Sequence, residues 1–217
     1  MDSDNEARNK SQDASVAHSA PNSAQREVYD FRATSDGEPS PHYELARPVF
    51  LVGFMGAGKT SVARKLARHA GVAALDMDVF IERRCGKEVK DLFAEIGEPA
   101  FRAIETEVLR ELASGDPLLV SCGGGVVVTP ENRRILIDQG YVLYLKVTAA
   151  EAASRISNYS TRPLFSDLAH AEELAKNRLP LYEEVADIAI DTAGRGSGSI
   201  AREAFTLLKR EGILRSC

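Results

Sequence analysis

The sequence predicts an α/β sandwich, in which helices cover both faces of a parallel β-sheet. Three observations lead to this prediction. The strand-like segments are apolar throughout, as expected for strands buried on both faces, and segments with helical periodicity alternate with them. A glycine-rich loop joins the first strand to the first helix, as in folds that bind phosphate groups. The five predicted strands are residues 48–52, 72–75, 118–122, 141–147 and 186–190.

Capping residues and apolar spacing predict the helices between these strands. Gly71 is placed to end the first helix, Thr129 and Pro130 to begin a later one, and residues 148–151 form a capping box. The predicted helical segments are 59–70, a region with an apolar stripe over 101–112, Pro130 to near Gly140, the segment after Thr148, and 199–210.

Charge is unevenly distributed along the 217 residues, whose formal net charge is −5. Residues 1–46 hold nine acidic and four basic side chains, so residues 47–217 carry no net charge. Nucleic-acid binding relies on a basic face, so we expect no nucleic-acid partner. The three cysteines have irregular spacing, which suits a reducing cytoplasm. No uncharged apolar run is long enough to cross a bilayer, so we expect no membrane association.

The chain is expected to divide into a disordered N-terminal extension, residues 1–46, and one folded domain, residues 47–217. The extension is rich in Ser, Ala, Asp, Asn and Pro and shows no sustained periodicity. Such a segment buries too little apolar surface to offset the entropy of ordering it. It has neither the apolar stretch of a secretory signal nor the composition of a transit peptide.

Residues 53–60 match the phosphate-loop pattern of Gly, four residues, Gly-Lys-Thr. In such loops, backbone N–H groups and a helix N-terminus bind phosphate, Lys59 can reach the terminal phosphates, and the Thr60 hydroxyl can ligate Mg²⁺. The alternative is a glycine turn beside a solvated lysine, but strand, loop and helix occur in the order that a nucleotide site requires. The residues assigned to the phosphates of ATP are Gly56, Ala57, Gly58, Lys59, Thr60 and Ser61.

Two aspartates follow the second predicted strand, at the sheet edge where open α/β sheets bind ligands. In an extended segment, residues two apart face the same way, so we expect the Asp76 and Asp78 carboxylates to converge beside the phosphate loop. One can support Mg²⁺ and the other can contact an acceptor hydroxyl. The alternative is an N-cap for the next helix beside a solvated neighbour.

Arginines and glycines complete the candidate set. Arg102 lies three residues before Glu105 on a predicted helix, so it can bind a substrate carboxylate or form a surface ion pair. Gly123 to Gly125 indicate either close approach to a ligand or a turn that needs positive φ. Arg155 and Arg162 lie in a polar segment that can close over phosphates or remain a solvated loop, and Arg178 can serve a ligand or a helix end.

Together these segments resemble the shikimate kinase family, small ATP-dependent kinases of chorismate and aromatic amino acid biosynthesis. The resemblance covers about residues 47–215, with the motifs in family order, and implies a monomeric P-loop kinase with a five-stranded parallel sheet and a mobile lid. The matching segments are the phosphate loop, Asp76-Met-Asp78, Phe101-Arg102 with Glu105, Gly123-Gly-Gly125, Thr161-Arg162-Pro-Leu164 and Arg178-Leu-Pro-Leu-Tyr182.

The resemblance implies transfer of phosphate from ATP to the 3-hydroxyl of shikimate, with Mg²⁺ as cofactor. Asp78 would contact that hydroxyl as the base, and Arg102 and Arg178 would hold the shikimate carboxylate. Gly123, Gly124 and Gly125 would line the substrate, with Gly124 touching the ring. Asp76 would lie behind the Mg²⁺ bound to Thr60. Lys59 and the lid residue Arg162 would act on the phosphates, and Arg155 and Arg195 would lie on the nucleotide side.

Two small departures from the family pattern remove no functional group. The lid reads Pro163-Leu-Phe165 where a second leucine is commoner, and Thr60-Ser61 reverses a frequent order. Two alternative functions remain open. A gluconate-type sugar kinase shares the phosphate loop but would not be expected to assemble two arginines beside three glycines. A non-catalytic relative would be expected to lose Lys59, Asp78 or Arg102, and all three are present.

Overall fold

The computed structural model describes residues 29–30, 43–155 and 168–217. Within them, one sheet contains the strands β1 (Tyr29–Asp30), β3 (Val49–Val52), β4 (Ala73–Asp76), β5 (Leu119–Ser121), β6 (Tyr141–Lys146) and β7 (Ile188–Asp191). Five of them are parallel, in the order β4-β5-β3-β6-β7, and the short strand β1 pairs antiparallel with β4 at the edge. The predicted α/β sandwich with five parallel strands is therefore confirmed.

Helices connect the parallel strands and cover both faces of the sheet. They are α1 (Lys59–Ala70), α2 (Met77–Cys85), α3 (Val89–Ser114), α4 (Pro130–Gln139), α5 (Ala149–Arg155), α6 (Leu168–Val185) and α7 (Ser197–Arg210). Phe50 and Val52 of β3 belong to a core that includes buried residues of α2, α3, α4 and α6, whereas Val49 and Leu51 belong to one that includes residues of α1 and α7. This alternation places one helical layer on each face.

The local signals in the sequence locate most of these boundaries. Helix α1 has the predicted limits, and Gly71 ends it in the left-handed conformation with φ of 67°. Pro130 begins α4 as its first residue. The Thr148 hydroxyl accepts the Glu151 N–H at 3.2 Å, which is half of the predicted capping box. Helix α3 is bent at Gly97, whose φ and ψ of 75° and 167° are not helical. Among the described residues, no helix is long and apolar enough to span a bilayer.

Part of the N-terminal segment belongs to the folded domain, contrary to the expected boundary at residue 46. Strand β2 (Tyr43–Leu45) pairs antiparallel with β8 (Leu214–Ser216) in a separate two-stranded sheet. Leu45 is 8% exposed and packs with the core beneath α1 and α7. Three residues are too few to show a periodic pattern, which is why the sequence did not reveal this strand. Residues 1–28 and 31–42 lie outside the described residues, so their disorder remains a prediction.

A pair of truncations should locate this boundary. Removing residues 1–46 deletes β2 and the burial of Leu45, which contributes about 1.5–3 kcal/mol. We expect the melting temperature to fall by about 3–10 °C relative to a chain that begins at residue 43. Turnover at 25 °C should be the same for both, because β2 leads into the amino end of β3 and the phosphate loop follows its carboxyl end. Equal melting temperatures would mean that β2 does not stabilise the domain.

Candidate active site

The phosphate loop lies between the carboxyl end of β3 and the first turn of α1. Gly56 and Gly58 adopt left-handed conformations, with φ of 80° and 86°, which side chains rarely allow. Space is restricted as well, since a Cβ placed on Gly56 would lie 2.8 Å from the carbonyl oxygen of Ala152 in α5. Backbone conformation thus requires glycine at both positions, and the packing of α5 against the loop adds a second requirement at Gly56.

The loop ends at the N-terminus of α1, where it can bind an anion. Gly58 occupies the N-cap position and provides no side chain to accept the N–H groups of the first turn. That turn also contains no acidic residue, so no side chain of the turn itself neutralises the partial positive charge of the helix end. N–H groups that point out of a helix N-terminus are typical phosphate ligands. This geometry fits the predicted phosphate-binding role of the loop.

Lys59 is folded back along this loop. Its Nζ donates to the carbonyl oxygens of Gly53 at 2.8 Å and Phe54 at 3.1 Å, and the residue is 9% exposed. Neutral carbonyls are weaker acceptors for an ammonium group than phosphate oxygens are. Lys59 is therefore held at the loop and can exchange these carbonyls for the phosphates of a nucleotide.

Three side-chain oxygens meet where α1, β4 and β5 come together. The Thr60 hydroxyl lies 2.6 Å from Asp76 Oδ2 and 3.1 Å from Ser121 Oγ. Asp76 and Ser121 are partners across the parallel pair of β4 and β5, which brings them side by side. Hydroxyl and carboxylate oxygens are the ligands that Mg²⁺ prefers, and it is commonly held by one or two protein groups plus substrate phosphates. The residues present therefore fit a Mg²⁺ ion at the phosphate loop.

The two aspartates of the predicted pair have different partners. Asp76 Oδ1 caps α2 by accepting the N–H groups of Asp78 at 3.1 Å and Val79 at 3.4 Å. Because this cap makes the chain helical from Met77 onward, the alternation of an extended segment does not reach Asp78. Asp76 faces Thr60, while Asp78 Oδ1 lies 2.6 Å from the position of a Cβ on Gly123. The extended spacing on which the expected convergence rests is thus absent, and convergence of the two carboxylates on one spot stays a prediction.

Arg102 lies against the last glycine of the run. A Cβ placed on Gly125 would be 2.5 Å from Arg102 Nη2, so a side chain here would displace this guanidinium from its position. The side chain is 15% exposed and pairs with Glu105 at 2.9 Å and Glu98 at 3.0 Å. The interpretation of Arg102 and Glu105 as a surface ion pair is therefore wrong, because Glu105 is itself only 2% exposed.

The Glu105 carboxylate is buried and lies near Arg102 and Asp78, two of the candidate substrate-binding residues. Burial raises its pKa, the Arg102 cation opposes that rise, and the nearby Asp78 carboxylate adds to it. Glu105 Oε1 would lie 3.4 Å from a Cβ on Gly123, close to where Asp78 approaches the same residue. Glu105 thus fixes one edge of the Arg102 fork and leaves the guanidinium directed toward the glycine run.

Helix α6 approaches the middle glycine. Arg178 Nη1 donates to the Gly124 carbonyl at 3.2 Å, and the Tyr182 hydroxyl donates to the same oxygen at 2.5 Å. On its other side, a Cβ on Gly124 would be 3.4 Å from the Met55 backbone nitrogen, in the phosphate loop. Gly124 therefore lies between the phosphate loop and the helix that carries Arg178.

The reason for three consecutive glycines is close packing rather than an unusual turn. None of Gly123, Gly124 and Gly125 has the positive φ that one of the two sequence interpretations required. Each faces a different element instead: Gly123 faces Asp78, Gly124 the phosphate loop, and Gly125 Arg102. The run thereby brings Asp78 and Arg102, the candidate substrate-binding side chains, next to the phosphate loop.

The two arginines expected on the nucleotide side, Arg155 and Arg195, come together at the end of β7. Arg155 donates to the Thr192 hydroxyl at 3.0 Å and to its carbonyl at 2.6 Å, and the Arg195 N–H donates to that carbonyl at 3.1 Å. Both guanidinium groups also pair with carboxylates, Arg155 with Glu151 and Arg195 with Glu203. Their contact with a nucleotide stays a prediction. Arg162 lies outside the described residues.

Several residues of the site were not predicted from the sequence. Ser121 and Tyr182 received no role because their partners, Thr60 and Gly124, are 61 and 58 positions away in the chain.

A buried polar pair also links α3 to the turn that follows the glycines. The Thr106 hydroxyl donates to Asn132 Oδ1 at 2.7 Å, and Asn132 Nδ2 donates to the Val126 carbonyl at 3.0 Å. A polar residue within an apolar stripe, such as Thr106, was the one available signal.

Comparisons with known proteins show which family the chain resembles. A family model described as shikimate kinase matches residues 55–209. The shikimate kinase of Actinobacillus succinogenes is 39% identical over 166 residues, which are 75% of this chain and 95% of that protein. The shikimate kinase of Thermobifida fusca is 41% identical over 169 residues, which are 76% of this chain and 95% of that protein.

Solved structures give the same result. The structure of shikimate kinase from Acinetobacter baumannii in complex with shikimate is similar with a TM-score of 0.73 and 36% identity, covering 76% of this chain and 95% of that one. Shikimate kinase from Aquifex aeolicus is similar with a TM-score of 0.68 and 25% identity, covering 76% of this chain and 98% of that one.

Proposed function

The chain belongs to the shikimate kinase family, and from this premise we propose that it transfers the γ-phosphoryl group of ATP to the 3-hydroxyl of shikimate. The products are 3-phosphoshikimate and ADP. The observation that carries the proposal is the glycine run, which brings a carboxylate, Asp78, and a guanidinium, Arg102, against a phosphate loop. Such a site suits an acceptor that has both a hydroxyl and an acid group.

On the acceptor side, Arg102 and Arg178 bind the shikimate carboxylate. Both approach the glycine run, Arg102 at Gly125 and Arg178 at Gly124, so they can bind one anion from two sides. Asp78 accepts a hydrogen bond from the 3-hydroxyl and takes its proton as the oxygen attacks the γ-phosphorus. The bond between that phosphorus and the bridging oxygen breaks, and ADP leaves.

On the nucleotide side, the loop N–H groups and Lys59 bind the phosphates and stabilise the charge that spreads over the transferred group. Thr60 would hold Mg²⁺ directly, with Asp76 behind it, and the ion would neutralise phosphate charge. Arg162 is proposed as the lid arginine, and Arg155 and Arg195 as contacts on the nucleotide side. Cys85, Cys122 and Cys217 form no disulfide, which is the basis for proposing a cytoplasmic protein, and we expect it to act as a monomer.

An assay of ADP release with two acceptors tests this function. With ATP and Mg²⁺, ADP should appear only when shikimate is added, and gluconate should give no release above background. Release with gluconate instead would assign the protein to the gluconate-type kinases. If ATP bound and neither acceptor produced ADP, the protein would be a non-catalytic relative of the family.

Replacement of Arg102 tests the acceptor side of the site. We expect Arg102→Ala to raise KM for shikimate by about tenfold to a hundredfold, because a hydrogen bond to a charged group contributes about 1.5–3 kcal/mol. KM for ATP should stay near the parent value. Arg110→Ala is a matched control, since Arg110 lies on the same helix, is half exposed and pairs with Glu131. An unchanged KM for shikimate in Arg102→Ala would reject the assignment.

A further inference from the structure

The Gly124 carbonyl receives its hydrogen bonds in an unusual way for this turn. The carbonyls on either side accept backbone N–H groups, Gly123 from Val126 at 3.2 Å and Gly125 from Val128 at 2.9 Å. The Gly124 carbonyl instead accepts two side chains of α6, the Tyr182 hydroxyl at 2.5 Å and Arg178 Nη1 at 3.2 Å. One of these donors is the arginine that we assign to the substrate carboxylate.

Tyr182 is fixed more firmly than Arg178. The tyrosine is 1% exposed, and its ring stacks on that of Tyr144 with centroids 5.2 Å apart. Burial raises the pKa of Tyr182, so its hydroxyl keeps its proton and remains a donor at neutral pH. Arg178 is half-buried, and its bond to the carbonyl is 0.7 Å longer than that of the tyrosine, as the distances of 3.2 and 2.5 Å show.

The two donors share one acceptor, and this has a consequence for Arg178. If the arginine were the sole donor to this carbonyl, turning toward a carboxylate would leave the carbonyl without a hydrogen bond, at a cost to binding. With Tyr182 in place, the carbonyl stays bonded whichever way the arginine turns. The tyrosine therefore lowers the cost of turning Arg178 from the carbonyl to the substrate.

We propose that Tyr182 is a positioning residue that keeps the Gly124 carbonyl hydrogen-bonded, so that Arg178 is free to bind the carboxylate of the acceptor substrate. This inference rests on the proposed function, because it concerns how the same site binds an acid. Tyr182 does not touch the substrate in this scheme. It acts through Arg178, and its contribution should therefore depend on that arginine.

A double-mutant cycle on shikimate binding tests the dependence directly. By calorimetry, Tyr182→Phe should weaken shikimate binding by about fivefold to tenfold, which is the lower part of the range for an unmade hydrogen bond. In an Arg178→Ala background, the same change should have no further effect. Tyr144→Phe is the matched control, since it removes a hydroxyl from the ring that stacks on Tyr182, and it should bind shikimate like the parent.

The outcomes separate this inference from the proposed function. Parent-like shikimate binding by Tyr182→Phe would overturn the inference, as would an equal loss with and without Arg178, which would indicate a merely structural role. Failure of the parent protein to bind shikimate, or to release ADP with it, would instead overturn the proposed function. Melting temperatures measured in parallel show whether each variant is folded.

A second measurement needs no variant. Gly123 to Gly125 form the two Gly-Gly peptides of the sequence, so labelling glycine with ¹³C at the carbonyl and ¹⁵N selects the Gly123 and Gly124 carbonyls. On adding shikimate, the Gly124 carbonyl resonance should move upfield as Arg178 withdraws. The Gly123 carbonyl, which accepts the Val126 N–H, is the internal reference. A Gly124 resonance that does not move relative to Gly123 would show that Arg178 stays in place, and the inference would fail.

Discussion

Replacing Lys59 with alanine should reduce kcat by about a thousandfold or more, which is the upper range for loss of one group that stabilises transition-state charge. The ammonium group is held at the phosphate loop by the Gly53 and Phe54 carbonyls, so it is in position before the nucleotide binds. Alanine removes the charge but should leave the loop conformation unchanged, because that conformation depends on the glycines. The measurement is single-turnover formation of phosphorylated product at saturating ATP and shikimate.

The matched control is Lys65→Ala, which removes an exposed lysine from the same helix and should retain parent turnover. The melting temperature of Lys59→Ala should remain within a few degrees of the parent, because water can replace the lysine at the two carbonyls. Near-parent turnover in Lys59→Ala would show that this lysine does not act on the transferred phosphoryl group.

Asp78→Asn should lower kcat by at least about a hundredfold, the low end of the contribution of a general base. The amide keeps the size of the side chain and one acceptor oxygen but loses the negative charge and the ability to take a proton. Asp78 lies in the first turn of α2, where the helix dipole interacts favourably with a negative charge that asparagine lacks. ATP affinity should be retained, since the carboxylate lies against Gly123 rather than in the phosphate loop.

Two other substitutions show whether the effect is specific to Asp78. Asp91→Asn removes an exposed first-turn carboxylate from α3, so it controls for the loss of a favourable helix-dipole interaction. Asp76→Asn should have a different effect from Asp78→Asn. It should raise the Mg²⁺ concentration needed for half-maximal rate, because Asp76 accepts a hydrogen bond from Thr60, the proposed Mg²⁺ ligand. If Asp78→Asn turned over shikimate at the parent rate, Asp78 would have only a structural role at the start of α2.

The pH dependence of the parent and of Asp78→Asn shows whether the rate depends on the Asp78 carboxylate. Phosphoryl transfer through a loose transition state asks little of a base, so the carboxylate can act as the base or orient the hydroxyl, and both roles require its charge. In either role, kcat/KM of the parent should fall on the acid side, and this limb should disappear in the asparagine variant. Retention of the same acid limb in Asp78→Asn would assign it to another group.

The sequence determined those features that depend on short stretches of chain. The limits of α1 follow from Gly58 and Gly71 at its ends, and the phosphate loop is recognisable because its backbone conformation requires glycine at fixed positions. The parallel sheet follows from continuous apolar strands, since burial on both faces leaves no polar positions. The family motifs likewise lie within short segments, so the candidate site residues are recognisable from the order of amino acids alone.

Only the tertiary structure decided how those residues meet. Cap formation by Asp76 turned the chain helical, so Asp76 and Asp78 have different partners rather than the shared direction of an extended segment. The bonds from Thr60 to Ser121 and from Tyr182 to Gly124 join residues 61 and 58 positions apart, and β2 pairs with a strand at the other end of the chain. Such contacts depend on which elements pack side by side, and local propensity carries no information about that. The same reason explains why the glycine run was ambiguous in the sequence, because the Arg102 and Asp78 side chains that fill the space beside it come from other helices.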